Sequence, residues 1–306
     1  MISPSEVRFI KLGSKGCWEK ECIESSNPTI KLGFRNPYHA DCLNKTWDNV
    51  SSYWSERVTP RVATAYTSQI QDFYTLDENA LWVTFYKRRL YWCFAHSTVT
   101  ELEQGGDRIR EVKGRWNCCS LTGDELLVDR LSGKLTKTQG FRGTICSVSE
   151  KNYLISRING EKMPEVVAAE LSLQKLHDAI VPLIQHLGWK DFELFSDLIF
   201  TNGGWRRSSC VGSTQKAIDL DLSAPVSGKK AFVQIKSKAN EQTLAFYYES
   251  FETMTQYDEM YFIVHSPTGD PAKWKLPDGV TVLGPKELAK LAVSAGLTEW
   301  LIQKNA

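Results

Sequence analysis

Two short runs, Ile218-Asp219-Leu220-Asp221-Leu222 and Phe232-Val233-Gln234-Ile235-Lys236, constrain this chain more than any other feature. Each is apolar enough to predict a strand inside a sheet. Yet the first carries carboxylates, and the second carries an amide and an amine. Burying such groups without partners costs several kcal/mol, so a chain that places them there generally uses them. Gln234 and Lys236 stand two apart and project from one face of their strand. If the two strands pair, a carboxylate, an amide oxygen and an ammonium converge at one sheet edge. In that arrangement Asp219 binds a divalent cation, and Gln234 gives its amide oxygen to the same ion or to its water. Lys236 orients or deprotonates the attacking water, or stabilises charge developing on a phosphate. Mg²⁺ is the natural ion, with Mn²⁺ able to substitute, because hard oxygen ligands and retained waters suit it. The chemistry expected is metal-assisted phosphodiester hydrolysis. The same alternation also fits a half-exposed strand with Asp221, Ser223, Lys236 and Lys238 turned to solvent, and the spacing leaves both readings open.

The 306 residues suffice for two domains, and the texture changes near Ile158-Asn159-Gly160-Glu161-Lys162-Met163-Pro164. We expect domains at 1–158 and 165–306, with 159–164 as the linker. Before the linker, segments are short and rich in aromatic and β-branched residues, as in 81–86, 90–95 and 143–148. They read as strands, the first two forming a hairpin with Lys87-Arg88-Arg89 at its tip. The first domain is expected to be mostly β, small and barrel-like. Beyond the linker, residues 165–187 carry apolar side chains at helical spacing, with Pro182 predicting a kink or break. Strands are expected at 192–200, 218–222, 231–237, 260–265 and 280–283, and helices at 243–256 and 286–295. That order is an α/β sandwich with a mixed central sheet.

Net charge is +1, so no global field argues for a polyanionic partner. Residues 1–160 hold 22 Lys+Arg against 18 Asp+Glu, a modest excess that fits either nucleic-acid contact or an ordinary solvated surface. No run approaches a membrane span, and the opening residues lack a secretory pattern. Eight cysteines without such a signal point to reduced thiols in the cytoplasm. Cys17, Cys22, His39 and Cys42 sketch a C-x4-C-x16-H-x2-C outline. Its first gap is wide, and cysteine is often a small buried residue, so zinc is not the expected cofactor.

The run Leu187-Gly188-Trp189, then Ala217-Ile218-Asp219, then Val233-Gln234-Ile235-Lys236 resembles the catalytic domain of Mrr-type restriction endonucleases, a branch of the PD-(D/E)xK nucleases. The resemblance covers about residues 165–270. It implies a restriction-endonuclease-like α/β/α domain that cleaves double-stranded DNA with Mg²⁺, with Asp219, Gln234 and Lys236 in the roles above. The sequence departs from the pattern in Gly212-Ser213-Thr214-Gln215-Lys216-Ala217, where the glycine is displaced. The acid that many members add from a helix is not evident. Asp178 and Glu170 are candidates, and Asp221 shares a strand face with Asp219. Lys216 and Lys238 could touch phosphates or simply be surface lysines.

A nuclease needs targeting, and the first domain is the candidate reader. It holds six of the ten tryptophans, Trp18, Trp47, Trp54, Trp82, Trp92 and Trp116. An aromatic pocket can hold a base rotated out of the duplex, although tryptophan on a strand is more often core. In architecture alone the domain is similar to PUA-like readers of the SRA and EVE kind. Lys87, Arg88, Arg89, Arg142, Arg206 and Arg207 are the candidate DNA contacts. The expected function is a modification-dependent restriction endonuclease reading a modified base, a cytosine derivative, and acting as a homodimer. A repair or recombination nuclease reading DNA shape, and a non-cleaving DNA-binding protein, are the alternatives.

Overall fold

A computed structural model describes residues 1–208 and 219–306. Gly212, Lys216, Ala217 and Ile218, invoked above, lie outside the described residues. The chain divides into two compact units, Met1–Met163 and Pro164–Ala306. The protein is mixed α/β, and no helix among the described residues is long and apolar enough to cross a membrane.

The first unit holds strands β1 (Val7–Ile10), β2 (Thr29–Leu32), β3 (Leu81–Tyr86), β4 (Arg89–Phe94), β5 (Thr100–Glu101), β6 (Arg108–Glu111) and β7 (Ile145–Ser147). They form a four-stranded sheet, β4-β3-β1-β7, and a three-stranded sheet, β2-β6-β5. The β3–β4 hairpin forms in the expected place, and its tip residues Lys87 and Arg88 adopt left-handed backbone, with φ of 45° and 60°. Helices α1 (Glu19–Glu24), α2 (His39–Leu43), α3 (Asp48–Ser55), α4 (Pro60–Thr75), α5 (Gly133–Thr136) and α6 (Lys151–Asn159) complete it. The unit thus carries more helix than its strand-like texture suggests, and its described strands form two separate sheets. In α4, Pro60 supplies a ready-made first turn. Ala63, Thr67, Ile70 and Phe73 then fall on one buried face, a helical spacing that outweighs the β-branched and aromatic content of the segment. Trp82 is fully buried in the core with Phe73, and Trp92 and Trp116 are nearly so. Trp18, Trp47 and Trp54 are partly buried against that core.

The second unit opens with α7 (Pro164–Gln185) and α8 (Trp189–Asn202). Helix α7 runs through Pro182 as one element. The proline falls in the last turn, so the backbone bond it removes lies near the C-terminal end, and the helix stops at Gln185. Residues 192–200, expected as a strand, belong to α8. Phe192, Phe195, Ser196, Ile199 and Phe200 are its buried positions, spaced by three and four rather than two. Then follow β8 (Arg206–Arg207), β9 (Leu220–Ser223), β10 (Lys230–Ala239), α9 (Glu241–Glu252), β11 (Glu259–Pro267), β12 (Val280–Leu283), α10 (Pro285–Ser294) and α11 (Thr298–Asn305). The last helix was not anticipated.

The sheet order is β12-β11-β10-β9-β8. Strands β12, β11 and β10 run parallel, while β9 and β8 pair antiparallel, so the sheet is mixed. Period-two alternation on β10 sends its side chains to two cores. Val233 and Ile235 pack with Ile180, Phe195, Leu288 and Leu301, from α7, α8, α10 and α11. Phe232 packs on the other face with Leu244 and Phe251 of α9. Both faces of the sheet are therefore covered, and Gln234 and Lys236 share the α9 face with Phe232.

Candidate active site

Register brings the central groups together. Phe232 opposes Asp221 and Val233 opposes Leu220, so one further step sets Asp219 opposite Gln234. The backbone N–H of Asp219 donates to Val233 O at 3.2 Å, which extends the ladder to that point. Asp219 Oδ2 accepts hydrogen bonds from Gln234 Nε2 and from the Ile235 N–H, the latter at 2.6 Å. Lys236 Nζ stands 4.0 Å from the same oxygen. The ammonium also lies 4.6 Å from the centroid of the Tyr247 ring, which α9 presents to the strand. An aromatic face at that distance favours the cation and limits where it can swing. The three residues singled out in the sequence therefore form one cluster.

Gln234 is 2% exposed, and its Oε1 has no hydrogen-bond partner among the described residues. An orphaned amide oxygen in a nearly dry site costs about 1–3 kcal/mol unless something occupies it. No hydrogen bond from the described residues reaches Asp219 Oδ1 either. Two hard oxygens without donors among the described residues, beside an ammonium, fit a Mg²⁺-sized cation that keeps several waters.

A carboxylate on α8 feels the charge of Asp219. Glu193 on α8 has its carboxyl pushed up from the ordinary 4.5, first by burial and next by the charge of Asp219, while Arg207 and Lys236 pull it down. Those four charges form one electrostatic neighbourhood at the sheet edge. Asp178 is instead exposed on α7, where it accepts from Gln174 Nε2 at 3.0 Å, a pairing along its own helix. Glu170 is likewise exposed on α7. Asp221 shares Asp219's strand face but neighbours Tyr257, whose hydroxyl is pushed up first by burial and next by the Asp221 charge. Reading residues 192–200 as a strand hid Glu193. At helical period it falls beside Phe192 on the rim of the buried stripe. Among the described residues no group of three or more His, Cys, Asp or Glu could hold a metal ion, so any cation here relies on the Gln234 amide as well as carboxylates.

Of the expected DNA contacts, Arg207 joins this site, since its guanidinium reaches Asp219 O at 3.5 Å. Arg206 is exposed beside it on β8. The hairpin-tip cations are already engaged. Lys87 pairs with Glu24 at 2.5 Å, Arg88 with Asp129 at 2.7 Å and Arg89 with Glu125 at 2.9 Å. Arg142 is exposed and lines a cavity of the first unit. Around the cysteine–histidine outline, Cys22 Sγ accepts from the Thr29 hydroxyl, and His39 Nδ1 bonds Tyr74 Oη at 2.7 Å.

Compared with protein-family models, curated proteins and solved structures, the chain matches none.

Proposed function

We propose that the second unit is a divalent-metal-dependent endodeoxyribonuclease. One observation carries this reading: a buried amide oxygen with no partner among the described residues sits beside a carboxylate and an ammonium on adjacent strands. Asp219 and Gln234 Oε1 would hold Mg²⁺ or Mn²⁺, with Glu193 as the further acid. Bound there, the ion supplies positive charge to a scissile phosphate and acidifies a coordinated water. Lys236 orients the attacking water and stabilises charge on the phosphate oxygens, held in place by Tyr247. The Ile235 N–H and the Gln234 amide fix the rotamer of Asp219, so the carboxylate costs little to organise. Arg207 is placed to contact the strand backbone.

The chemistry, joined to the aromatic first unit, supports a modification-dependent restriction enzyme of the Mrr kind. The first unit would read a modified base, a cytosine derivative, and the second would cut both strands. One site cuts one strand, so a homodimer on DNA is expected, acting in the cytoplasm. The test is digestion of duplexes carrying cytosine, 5-methylcytosine, 5-hydroxymethylcytosine or its glucosylated form, with Mg²⁺ and with EDTA. Cleavage of a modified duplex alone supports the full reading. Equal cleavage of all duplexes favours a repair or recombination nuclease. Binding without cleavage in either metal favours a non-cleaving DNA-binding protein, which the shortage of carboxylates at the site would explain.

A further inference from the structure

The first unit contains a cavity of ≈ 830 Å³, within the size range of small-molecule sites. Its wall includes the loop from Gly13 to Trp18, which turns through left-handed backbone at Gly13, Lys15 and Gly16, with φ of 83°, 53° and 75°. Lys15 is the only non-glycine of the three, a conformation that costs about 1 kcal/mol and that local structure must hold.

Glycines seat an aromatic ring here. A Cβ at Gly33 would stand 2.6 Å from the Trp18 ring, and one at Gly13 would stand 2.9 Å from it. Only hydrogen fits at both places, so Trp18 is wedged at the cavity wall, with the Lys31 ammonium 4.6 Å from its ring centroid. Phe34 and Phe85, both half-buried, add two further aromatic surfaces.

The polar groups divide into committed and free ones. Asp107 is buried and holds Arg35 through bonds of 2.7 and 3.1 Å, with Lys31 at 3.7 Å. Lys11 donates to Phe141 O at 2.6 Å. Lys15 and Arg142, in contrast, have no anionic partner among the described residues, and neither does the Glu19 carboxyl a cationic one. Burial alone pushes the Glu19 carboxyl up. A cavity with aromatic walls, two free cations and one free carboxyl calls for a ligand that is planar, anionic and rich in N–H donors.

We propose that this cavity binds a nucleotide whose base carries an exocyclic amino group, with its phosphate at Lys15 and Arg142 and its amino edge at Glu19. Aromatic surface favours the base whatever its identity. The carboxyl supplies the discrimination, because an exocyclic amino group donates to it, whereas thymine presents a carbonyl oxygen at that position, which a carboxylate repels. That the nucleotide belongs to a DNA strand rests on the function proposed above; the cavity's chemistry is the same for a free nucleotide.

The experiment measures binding in EDTA, where no cleavage occurs. The probes are dCMP, 5-methyl-dCMP and dTMP by calorimetry, and methylated or unmethylated duplex by fluorescence anisotropy. The proteins are wild type, Lys15→Gly, Arg142→Ala and Glu19→Gln. Lys15→Gly relieves the left-handed residue, so its melting temperature should hold or rise while the charge is lost. Losing either cation should weaken every ligand about tenfold. Wild type should bind the cytosine nucleotides at least about tenfold more tightly than dTMP. Glu19→Gln should erase that preference, because an amide both donates and accepts. Failure of wild type to bind nucleotide or duplex overturns the proposal, as does wild-type affinity and preference in all three variants. Binding of free nucleotides but not of duplex keeps the cavity and overturns the DNA source. Pocket-dependent binding in a protein that never cleaves with Mg²⁺ keeps the cavity while the nuclease reading falls. Cleavage by a protein whose affinity ignores all three changes does the reverse.

Discussion

Gln234 donates through its side-chain nitrogen to Asp219 Oδ2, and this leaves its own Oε1 buried with no partner among the described residues. The amide is locked by the bond that orients the carboxylate. Both free oxygens are thereby fixed before any cation arrives, which lowers the cost of binding one.

Gln234→Glu tests that geometry. A second carboxylate beside Asp219 raises the apparent pKa of the pair and should lower metal-free stability by about 1–3 kcal/mol. Mg²⁺ should then raise the melting temperature more in the variant than in wild type. Melting curves with and without Mg²⁺ check it, and an absent Mg²⁺ effect in both proteins would contradict it.

Tyr247→Leu removes the ring beneath the Lys236 ammonium while keeping apolar volume against β10. A lost cation–π contact of about 1–2 kcal/mol predicts a roughly tenfold fall in cleavage rate. Substrate affinity should change little if the ring acts only by positioning the lysine. Single-turnover kinetics separate the two effects.

Glu193 gives a pH signature. Its carboxyl is raised in the folded protein above the ordinary 4.5. The folded state therefore holds this proton more tightly than the unfolded state. Its stabilising contribution is fully present below about 4.5 and is lost as pH rises through the folded value. Glu193→Gln should flatten that part of the stability–pH curve. Metal binding should release a proton from wild type in the same window and none from this carboxyl in the variant, as read by calorimetry in two buffers.

How far the sequence reveals the site depends on periodicity. The alternation of Phe232, Gln234 and Lys236 against Val233 and Ile235 is written in β10 and matches the two cores that flank it. The Asp219–Gln234 partnership follows once β9 and β10 pair. Glu193 is not legible so directly, because Phe192-Glu193-Leu194 alternates as a strand would. Only the longer spacing through Ile199 and Phe200 exposes the helix. Helix α4 is hidden for a related reason: its Val, Thr and Tyr residues favour strands locally, and packing against Trp82 and β7 overrides them. The ion pairs that occupy Lys87, Arg88 and Arg89 join residues far apart in the chain, beyond the reach of any local pattern.

One such long-range device deserves a stability test. Arg110 on β6 is fully buried, donating to His96 O at 2.6 Å and to Phe73 O at 3.1 Å near the end of α4. Burial pulls its pKa down to about 10. Its fork bridges these carbonyls and ties α4 to the sheet. Arg110→Ala should destabilise the first unit by about 3 kcal/mol or more. Arg110→Lys should recover only part of the loss, because an ammonium cannot reach in two directions from a planar fork. Urea unfolding of residues 1–163 in the full chain, followed by tryptophan fluorescence, measures both.

The central claim is that Asp219, Gln234 and Lys236 work together on a phosphodiester. The most direct measurement is cleavage of a modified-cytosine duplex with Mg²⁺ by wild type and Lys236→Ala at matched DNA occupancy. The account predicts cutting by wild type and a loss of at least about a hundredfold in the variant, with DNA affinity retained. A variant that cuts as fast as wild type, or a wild type that leaves every duplex intact in both Mg²⁺ and Mn²⁺, would contradict it.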